Sequence, residues 1–421
     1  MKDVQGLNMP TLDDIRLAAK KLQNVATVTP LEIHQRLSEQ YQCKLLFKRE
    51  DLQNVRSYKI RGAYNKISSL SSDEVKNGIV CASAGNHAQG VALSCQLLKI
   101  KGKIFMPAPT PNQKVEQVKM FGKDFVEVIL VGDTFDDSFH KAIEECTKNG
   151  TPLIHPFNDP KVIERQGTAG LEITQQVEGD IDYLFIPAGG DGLASGSSTA
   201  VKTLSPSTKI SGVEPAGAPS MSKSLENGKI VKLENIEKFV DGASVQSVGD
   251  LTFKICQDKL DVMTTVHEGK ICQTILDMYN KDAIVAEPAG VMSIAALDEF
   301  KDDIKGKTVV CLVSGSNNDI TRTAEIKERA LLYANLKHYF IIKFPQRPGA
   351  LREFVVEMLG PQDDITHFEY TKKVNRENDV AVVGIQLKRE SDLQPLITKL
   401  KKHNFFGDYL NDKPELFQFL I

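Results

Sequence analysis

From residue 78 onward, short apolar runs alternate with amphipathic stretches, and this alternation restricts the folds open to the chain. GIVCASAG is predicted as a strand and HAQGVALSCQLL as the helix after it. KGKIFMPA and NQKVEQVKMFG repeat the pair, as do DFVEVILVG and FDDSFHKAIEECTK, and TPLIHPF closes the series as a further strand. A second series follows from about residue 159. It comprises a helix (PKVIERQGTAGLEITQQV), a strand (DYLFIPAGG), a helix (LASGSSTAVKTL) and a strand (KISGVEP). It ends in KTVVCLVSG, apolar enough to be buried on both faces, and the helix DITRTAEIKERALLYA. Strand–helix–strand order of this kind makes parallel sheets covered by helices. Two open α/β units with a cleft between them are expected.

The tail from about residue 339 has a different rhythm. YFIIKF is predicted as a strand and PQRPG as a turn. In ALREFVVEMLG, the apolar Leu351, Phe354, Val355, Met358 and Leu359 fall on one side of a helix. DITHFEYTK and VAVVGIQLK pair around VNREND, and the helix SDLQPLITKLKKH precedes a last strand. This is βαββαβ, a ferredoxin-like module. The link near Arg329–Lys337 contains no Gly, Pro or Ser and is expected to carry helix.

Composition narrows the partners. The 421 residues carry a net charge of −3, which gives no electrostatic reason to bind nucleic acid or an anionic membrane. No apolar run has the length of a membrane span, and the first residues lack the apolar core of a signal peptide, so a cytoplasmic location is expected. Seven cysteines are scattered without a CxxC pair and mostly lie in apolar runs, where they read as small core residues. No zinc-ligand spacing of His and Cys appears.

The chemistry is expected at the carboxyl ends of strands, where open α/β sheets bind ligands. Three turns stand there. SAGNHAQG (83–90) opens a helix whose first N–H groups suit a carboxylate or phosphate. In GGDGLASG (189–196), clustered glycines admit an anion close to the backbone, although Asp191 there would repel it. VSGSNND (313–319) brings Ser314 to the end of a buried strand. Each turn alone reads equally as an ordinary capped strand–helix junction. A lysine, Lys59, lies between Arg56 and Arg61 in RSYKIRGA and reads alone as a surface cation.

Taken in order, SYKIRGA, SAGNHAQG, GGDGL and VSGSNND resemble the β-family (fold type II) of pyridoxal-phosphate enzymes, and within it the biosynthetic threonine dehydratase family. KREDLQ (48–53) and EPAG (287–290) match the family pattern too. The resemblance runs from about residue 15 to the C-terminus. It implies a tryptophan-synthase-β-like fold of two twisted α/β units and an ACT-like regulatory tail. The large catalytic domain would comprise residues 1–55 and 156–335, the small one 56–155, and the tail 336–421. Pyridoxal 5′-phosphate is the implied cofactor. L-threonine is the implied substrate of a β-elimination giving 2-oxobutanoate and ammonia, the first step of isoleucine biosynthesis, with L-serine as the alternative substrate. A homotetramer or dimer is implied, with isoleucine or valine as effector.

By motif, the resemblance gives Lys59 the roles of Schiff-base lysine and general base. Asn86 would contact the cofactor's 3′-oxygen, and Gly189, Gly190, Asp191, Gly192 and Leu193 would cradle its phosphate. Ser314 would meet the pyridine nitrogen, and Ser83, Ala84, Gly85 and His87 the substrate carboxylate. No metal ligand is assigned: a racemase-like cation pattern keeps Glu214 and Ala218 but has Ser220 in place of an Asp. Asp191 stands where the family has glycine. Arg56 and Arg61 are expected to help lower the Lys59 pKa if they lie close in space. Cysteine-synthase-like relatives would show an Asp at the position of Ile60. A racemase would need a proton-bearing side chain at Ala84. A non-catalytic amino-acid-binding regulator and a nicotinamide oxidoreductase are the readings from other classes; the intact lysine and the weak dinucleotide fingerprint count against them.

Overall fold

A computed structural model describes residues 9–21, 25–370, 378–413 and 415–417. The chain divides into two compact units, Met1–Ile320 and Thr321–Ile421. The first contains two sheets. The strands β1 (Leu31–Ile33) and β2 (Lys44–Arg49) precede β3 (Ile79–Ala82), β4 (Gly102–Met106) and β5 (Val126–Leu130). They are followed by β6 (Tyr183–Pro187), β7 (Lys209–Pro215), β8 (Val262–Val266) and β9 (Thr308–Val313). Strands β3-β4-β5 form a small parallel sheet. The larger sheet runs β1-β2-β9-β6-β7-β8, parallel except for β1.

Central strands of the large sheet are apolar throughout because helices cover both faces. In β9, Val309 to Val313 are all buried, and β6 is buried from Leu184 to Pro187. Ile186, Leu193, Val310 and Leu312 belong to its core; Cys81, Val91, Cys95 and Ile104 belong to the core of the small sheet. The helices start on local chemistry. Thr134 and Asp137 form a capping box on Phe135–Asn149, and Asp159 caps Pro160–Gln166 with proline at the first position.

Three predicted elements differ. TPLIHPF is no strand: it makes one bridge, Val80 to Leu153, because Pro152 and Pro156 remove ladder donors on either side. PKVIERQGTAGLEITQQV forms two helices, Pro160–Gln166 and Thr168–Gln176. They meet at Gly167, where a Cβ would lie 2.8 Å from the Gly196 carbonyl oxygen of the helix Gly192–Leu204. The tail helix is α-helical over Ala350–Glu353 and a π-turn over Phe354–Met358. Its buried residues are Ala350, Phe354 and Met358, whereas Leu351 and Val355 are exposed.

In the second unit, β10 (Lys337–Pro345), β11 (Asp364–Tyr370), β12 (Asn378–Gln386) and β13 (Phe406–Tyr409) form an antiparallel sheet in the order β11-β12-β10-β13. With the helices Ala350–Glu353 and Leu393–Lys402 this is βαββαβ. Most of the VNREND connection lies outside the described residues. The unit begins ahead of residue 336 because the helix Thr323–Tyr333 packs into it: Tyr339 Oη donates to Glu328 (2.6 Å), which also pairs with Lys337.

Candidate active site

Lys59 heads the helix Lys59–Ser68, and the segment before it is pinned to the end of β9. Ser57 bridges Gly315, Tyr58 N–H donates to the Ser314 carbonyl at 3.2 Å, and Ser316 N–H donates to the Arg56 carbonyl at 2.9 Å. Arg56 takes a left-handed conformation (φ 59°) to make this turn. The result sets Lys59 beside the Ser314 turn. The helix Asn86–Leu98 crosses close by, since a Cβ on Gly90 would lie 3.1 Å from the Lys59 carbonyl.

The Lys59 ammonium donates to the Pro156 carbonyl at 3.1 Å and lies 5.1 Å from the Tyr58 ring centroid. Burial pushes its pKa down to about 8, while the carboxylates Glu287 and Asp191 pull it up. Arginine plays no part in that shift. Arg61 is buried in a separate network, held by Glu50 at 2.7 Å and by Glu172 at 2.6 Å, with Lys48 also on Glu172 at 2.6 Å. The expectation that the flanking arginines lower the Lys59 pKa is therefore corrected: four ion-paired side chains neutralise one another away from it.

The Ser83–His87 turn follows β3. Gly85 N–H donates to Ser83 Oγ at 3.3 Å, and the N–H groups of Asn86, His87 and Ala88 head the helix without intrahelical carbonyl partners. Ala84 adds no polar side chain. The His87 ring is turned away to the Ile154 carbonyl, with Nε2 at 2.8 Å. Burial first, then the Lys59 charge, pushes His87 down to about 3, so the imidazole is neutral and Nε2–H donates. His87 thus offers this turn its backbone, not its ring.

Asn86 is fully engaged. Its Nδ2 donates to Glu287 Oε1 at 2.6 Å, and its Oδ1 accepts from Asn317 Nδ2 at 2.6 Å. Asn317 caps no helix; it also holds the Val55 carbonyl at 2.9 Å. Burial, then Asp241, pushes Glu287 up to about 7 against the Asn86 hydrogen bond and Lys114. Asp241 and Lys114 pair directly, joining the helix Asn112–Gly122 to the segment that carries Ala243. The Ser314 hydroxyl, 2% exposed, donates to the Ala289 carbonyl at 3.2 Å.

The glycine loop 189–193 leaves β6 and enters the helix Gly192–Leu204. Its glycines are packed tightly. A Cβ would approach Ala243 to 2.7 Å from Gly189, the Phe157 ring to 2.1 Å from Gly190, and Gln166 Oε1 to 2.3 Å from Gly192. Leu193 anchors the loop in the core. Asp191 takes φ 67° and is buried, with neither carboxylate oxygen hydrogen-bonded. Burial and Glu214 push it well above the usual carboxylate range. Glu214 itself is engaged at the start of the helix Ser220–Asn227, accepting from Met221 N–H (2.7 Å), Ser222 N–H (2.9 Å) and Ser222 Oγ (2.8 Å). Ser220 Oγ also donates to it, at 3.5 Å.

All four predicted segments converge on Lys59. Buried polar atoms without a protein partner collect around them: Ser57 Oγ, both Asp191 oxygens, the Gln166 amide, Ser244 Oγ, and the side-chain oxygens of Asn317 and Asn318. An unmet buried polar group costs roughly 1–3 kcal/mol, so such a concentration suits a polar ligand. An aldehyde-bearing aromatic phosphate fits the donor set: an amine, a glycine loop at a helix start, an amide and a hydroxyl. Glu287, Phe157, Gln166, His155 and the Lys114–Asp241 pair join the site without sequence assignments. Of these, only EPAG offered a signal.

Residues 22–315 match the pyridoxal-phosphate dependent enzyme family. Residues 328–420 match the C-terminal regulatory domain of threonine dehydratase. Over 410 residues the chain is 57% identical to the biosynthetic L-threonine dehydratase IlvA of Halalkalibacterium halodurans, spanning 97% of this chain and 99% of that protein. The IlvA of Bacillus subtilis is 53% identical over 414 residues, 98% of each chain. Among solved structures, the processed form of threonine deaminase isoform 2 from Solanum lycopersicum aligns with a TM-score of 0.73 at 41% identity, over 77% of this chain and 92% of that one. Maize serine racemase aligns at 0.71 and 32%, over 77% and 99%.

Proposed function

The chain belongs to the pyridoxal-phosphate-dependent enzymes and, with its matching C-terminal regulatory domain, to the biosynthetic threonine dehydratase family, and from that premise we propose that it eliminates water from L-threonine to give 2-oxobutanoate and ammonia. The observation that carries this reading is the buried Lys59 amine, brought down to about 8, at the meeting point of three strand-end turns. The full-length likeness to two biosynthetic threonine dehydratases supports threonine as the substrate.

Lys59 would hold the cofactor aldehyde, backbone N–H groups of the 189–193 loop its phosphate, and the Ser314 hydroxyl its ring nitrogen. Asn86, whose amide now holds Glu287, would serve the 3′-oxygen. The bound cofactor supplies a sink for the electron pair left at the substrate's Cα. The N–H groups of the Ser83–His87 turn fix the substrate carboxylate, which orients the Cα–H bond toward Lys59 Nζ. Lys59 Nζ, freed when the substrate amine takes its place, would accept that proton as general base and pass it to the β-hydroxyl, which leaves as water. The enamine would be released as the Lys59 amine takes its place back, then tautomerise and hydrolyse, consuming one water and freeing ammonia. Burial of Lys59 matters because only the unprotonated amine accepts the proton.

Ala84 has no proton to give the opposite face of Cα, which disfavours racemisation. The C-terminal unit, which matches a threonine dehydratase regulatory domain, is read as an effector domain, with isoleucine or valine as the effector to test. A cytoplasmic homo-oligomer, dimer or tetramer, completes the reading; among the described residues no helix is long and apolar enough to cross a membrane. Oxo-acid formation from L-threonine and L-serine, with and without isoleucine or valine, tests the assignment. Preference for threonine and a response to one effector are expected; no oxo acid from either substrate overturns it.

A further inference from the structure

Asp191 is the one acidic residue in a loop read as a phosphate cradle, and its setting is unlike that of an ordinary loop aspartate. It is 4% exposed, caps the helix Gly192–Leu204 in a left-handed conformation, and has no hydrogen bond to either oxygen. The Gly189 N–H acts on its charge without hydrogen-bonding geometry. Beside it, Gln166 is 1% exposed with both amide atoms unpartnered, and its Oε1 lies 2.3 Å from where a Gly192 Cβ would be. Two orphaned side chains therefore flank the same turn.

A buried charge without a partner is costly, and a carboxylate beside a phosphate adds like-charge repulsion. The neighbours decide which carboxyl keeps a proton. Burial pushes Glu214 up as well, but it accepts from two N–H groups and from the hydroxyls of Ser220 and Ser222, which oppose that push by stabilising its anion. Asp191 has no such donors. Its other charged or titratable neighbours are Lys59 and Tyr58 at the head of the helix Lys59–Ser68, and Cys256, a buried thiol held neutral on the helix Asp250–Lys259. We propose that Asp191 enters the loop as the neutral carboxylic acid and donates a hydrogen bond to the phosphate monoester of the cofactor. The substitution of a glycine then adds a donor to the cradle and makes cofactor retention pH-dependent. Retention is full while Asp191 is protonated and falls as rising pH removes that proton. The proposal rests on the 189–193 loop holding the phosphate.

The test compares wild type, Asp191→Asn and Asp191→Gly, each stripped and titrated with pyridoxal phosphate between pH 6 and 9.5, with the ³¹P resonance of the bound phosphate as a second readout. Asn and Gly both tolerate the left-handed conformation, so folding does not confound the comparison. At pH 6.5, Asp191→Gly is expected to bind about tenfold more weakly than wild type. Toward pH 9.5, wild type loses at least about tenfold more affinity than Asp191→Asn, whose own loss reports Lys59. Tighter binding by Asp191→Gly at pH 6.5 means that a charged Asp191 repels the phosphate and overturns the proposal. Parallel pH curves with an unmoved ³¹P shift overturn it equally. Failure of all three proteins to bind the cofactor overturns both the proposal and the cofactor reading beneath it.

Discussion

Asn86 Nδ2 and Glu287 Oε1 are joined at 2.6 Å across 201 residues of sequence. The bond crosses the first unit, from the turn after β3 to the loop before β9. It ties the amide proposed for the cofactor's 3′-oxygen to a carboxyl that burial pushes up to about 7.

Glu287→Gln keeps an acceptor for Asn86 and removes the titration. With a folded pKa above the unfolded value of 4.5, the wild-type carboxyl costs nothing below about pH 4.5 and progressively destabilises the fold as pH rises to 7. The variant is therefore expected to melt with wild type near pH 4.5 and above it at pH 8, by an amount on the order of 1–3 kcal/mol. Thermal melts at the two pH values measure this; equal melting at pH 8 contradicts it.

Gly190→Ala drives a methyl group into the Phe157 ring, 2.1 Å away. Overpacking of this kind costs roughly 1–3 kcal/mol, and cofactor affinity should fall with it. Adding Phe157→Leu should recover most of both losses, read by melting temperature and by cofactor titration.

Arg61→Ala leaves Glu50 buried and unpaired. A loss of about 3–5 kcal/mol is expected, seen as a large drop in melting temperature. Where folded protein remains, the pH dependence of cofactor capture by Lys59 should match wild type, because burial rather than Arg61 depresses that amine.

His87→Asn retains a donor for the Ile154 carbonyl. Because the wild-type ring titrates near 3, the pH–rate profile between pH 5 and 9 should keep its shape. A lost or shifted limb would show that the ring, not only the backbone, takes part.

The sequence made legible what neighbours in sequence decide. Apolar runs such as TVVCLV and YLFIP, and the glycine and serine turns after them, carry their pattern within about ten residues, so the strands β3 to β7 and β9, the helices that alternate with β3 to β7, and the four segments that meet at Lys59 could be read; the helix Lys59–Ser68 itself was not. Strands β1, β2 and β8 went unread: β1 has three residues and none of them buried, and β8 alternates weakly. The tail helix misled because five apolar residues suggested one stripe, while the π-turn rotates Val355 out to solvent. Arg61 looked like a neighbour of Lys59 because they are two residues apart. Only the fold shows Glu50 and Glu172 holding it elsewhere. Gln166 and Phe157 reach the site from distant segments, and nothing local distinguishes them from core residues or caps; for Glu287 the one signal was EPAG.

The central claim is that Lys59 performs the proton transfer in threonine dehydration. The most direct measurement is the rate at which the cofactor-loaded full chain forms 2-oxobutanoate and ammonia from L-threonine, wild type against Lys59→Ala, with bound cofactor quantified in both. Wild type should release the two products in equal amounts, and Lys59→Ala should be slower by at least about a thousandfold at equal cofactor content. A Lys59→Ala protein that keeps its cofactor and turns over threonine at a rate near wild type would contradict the account.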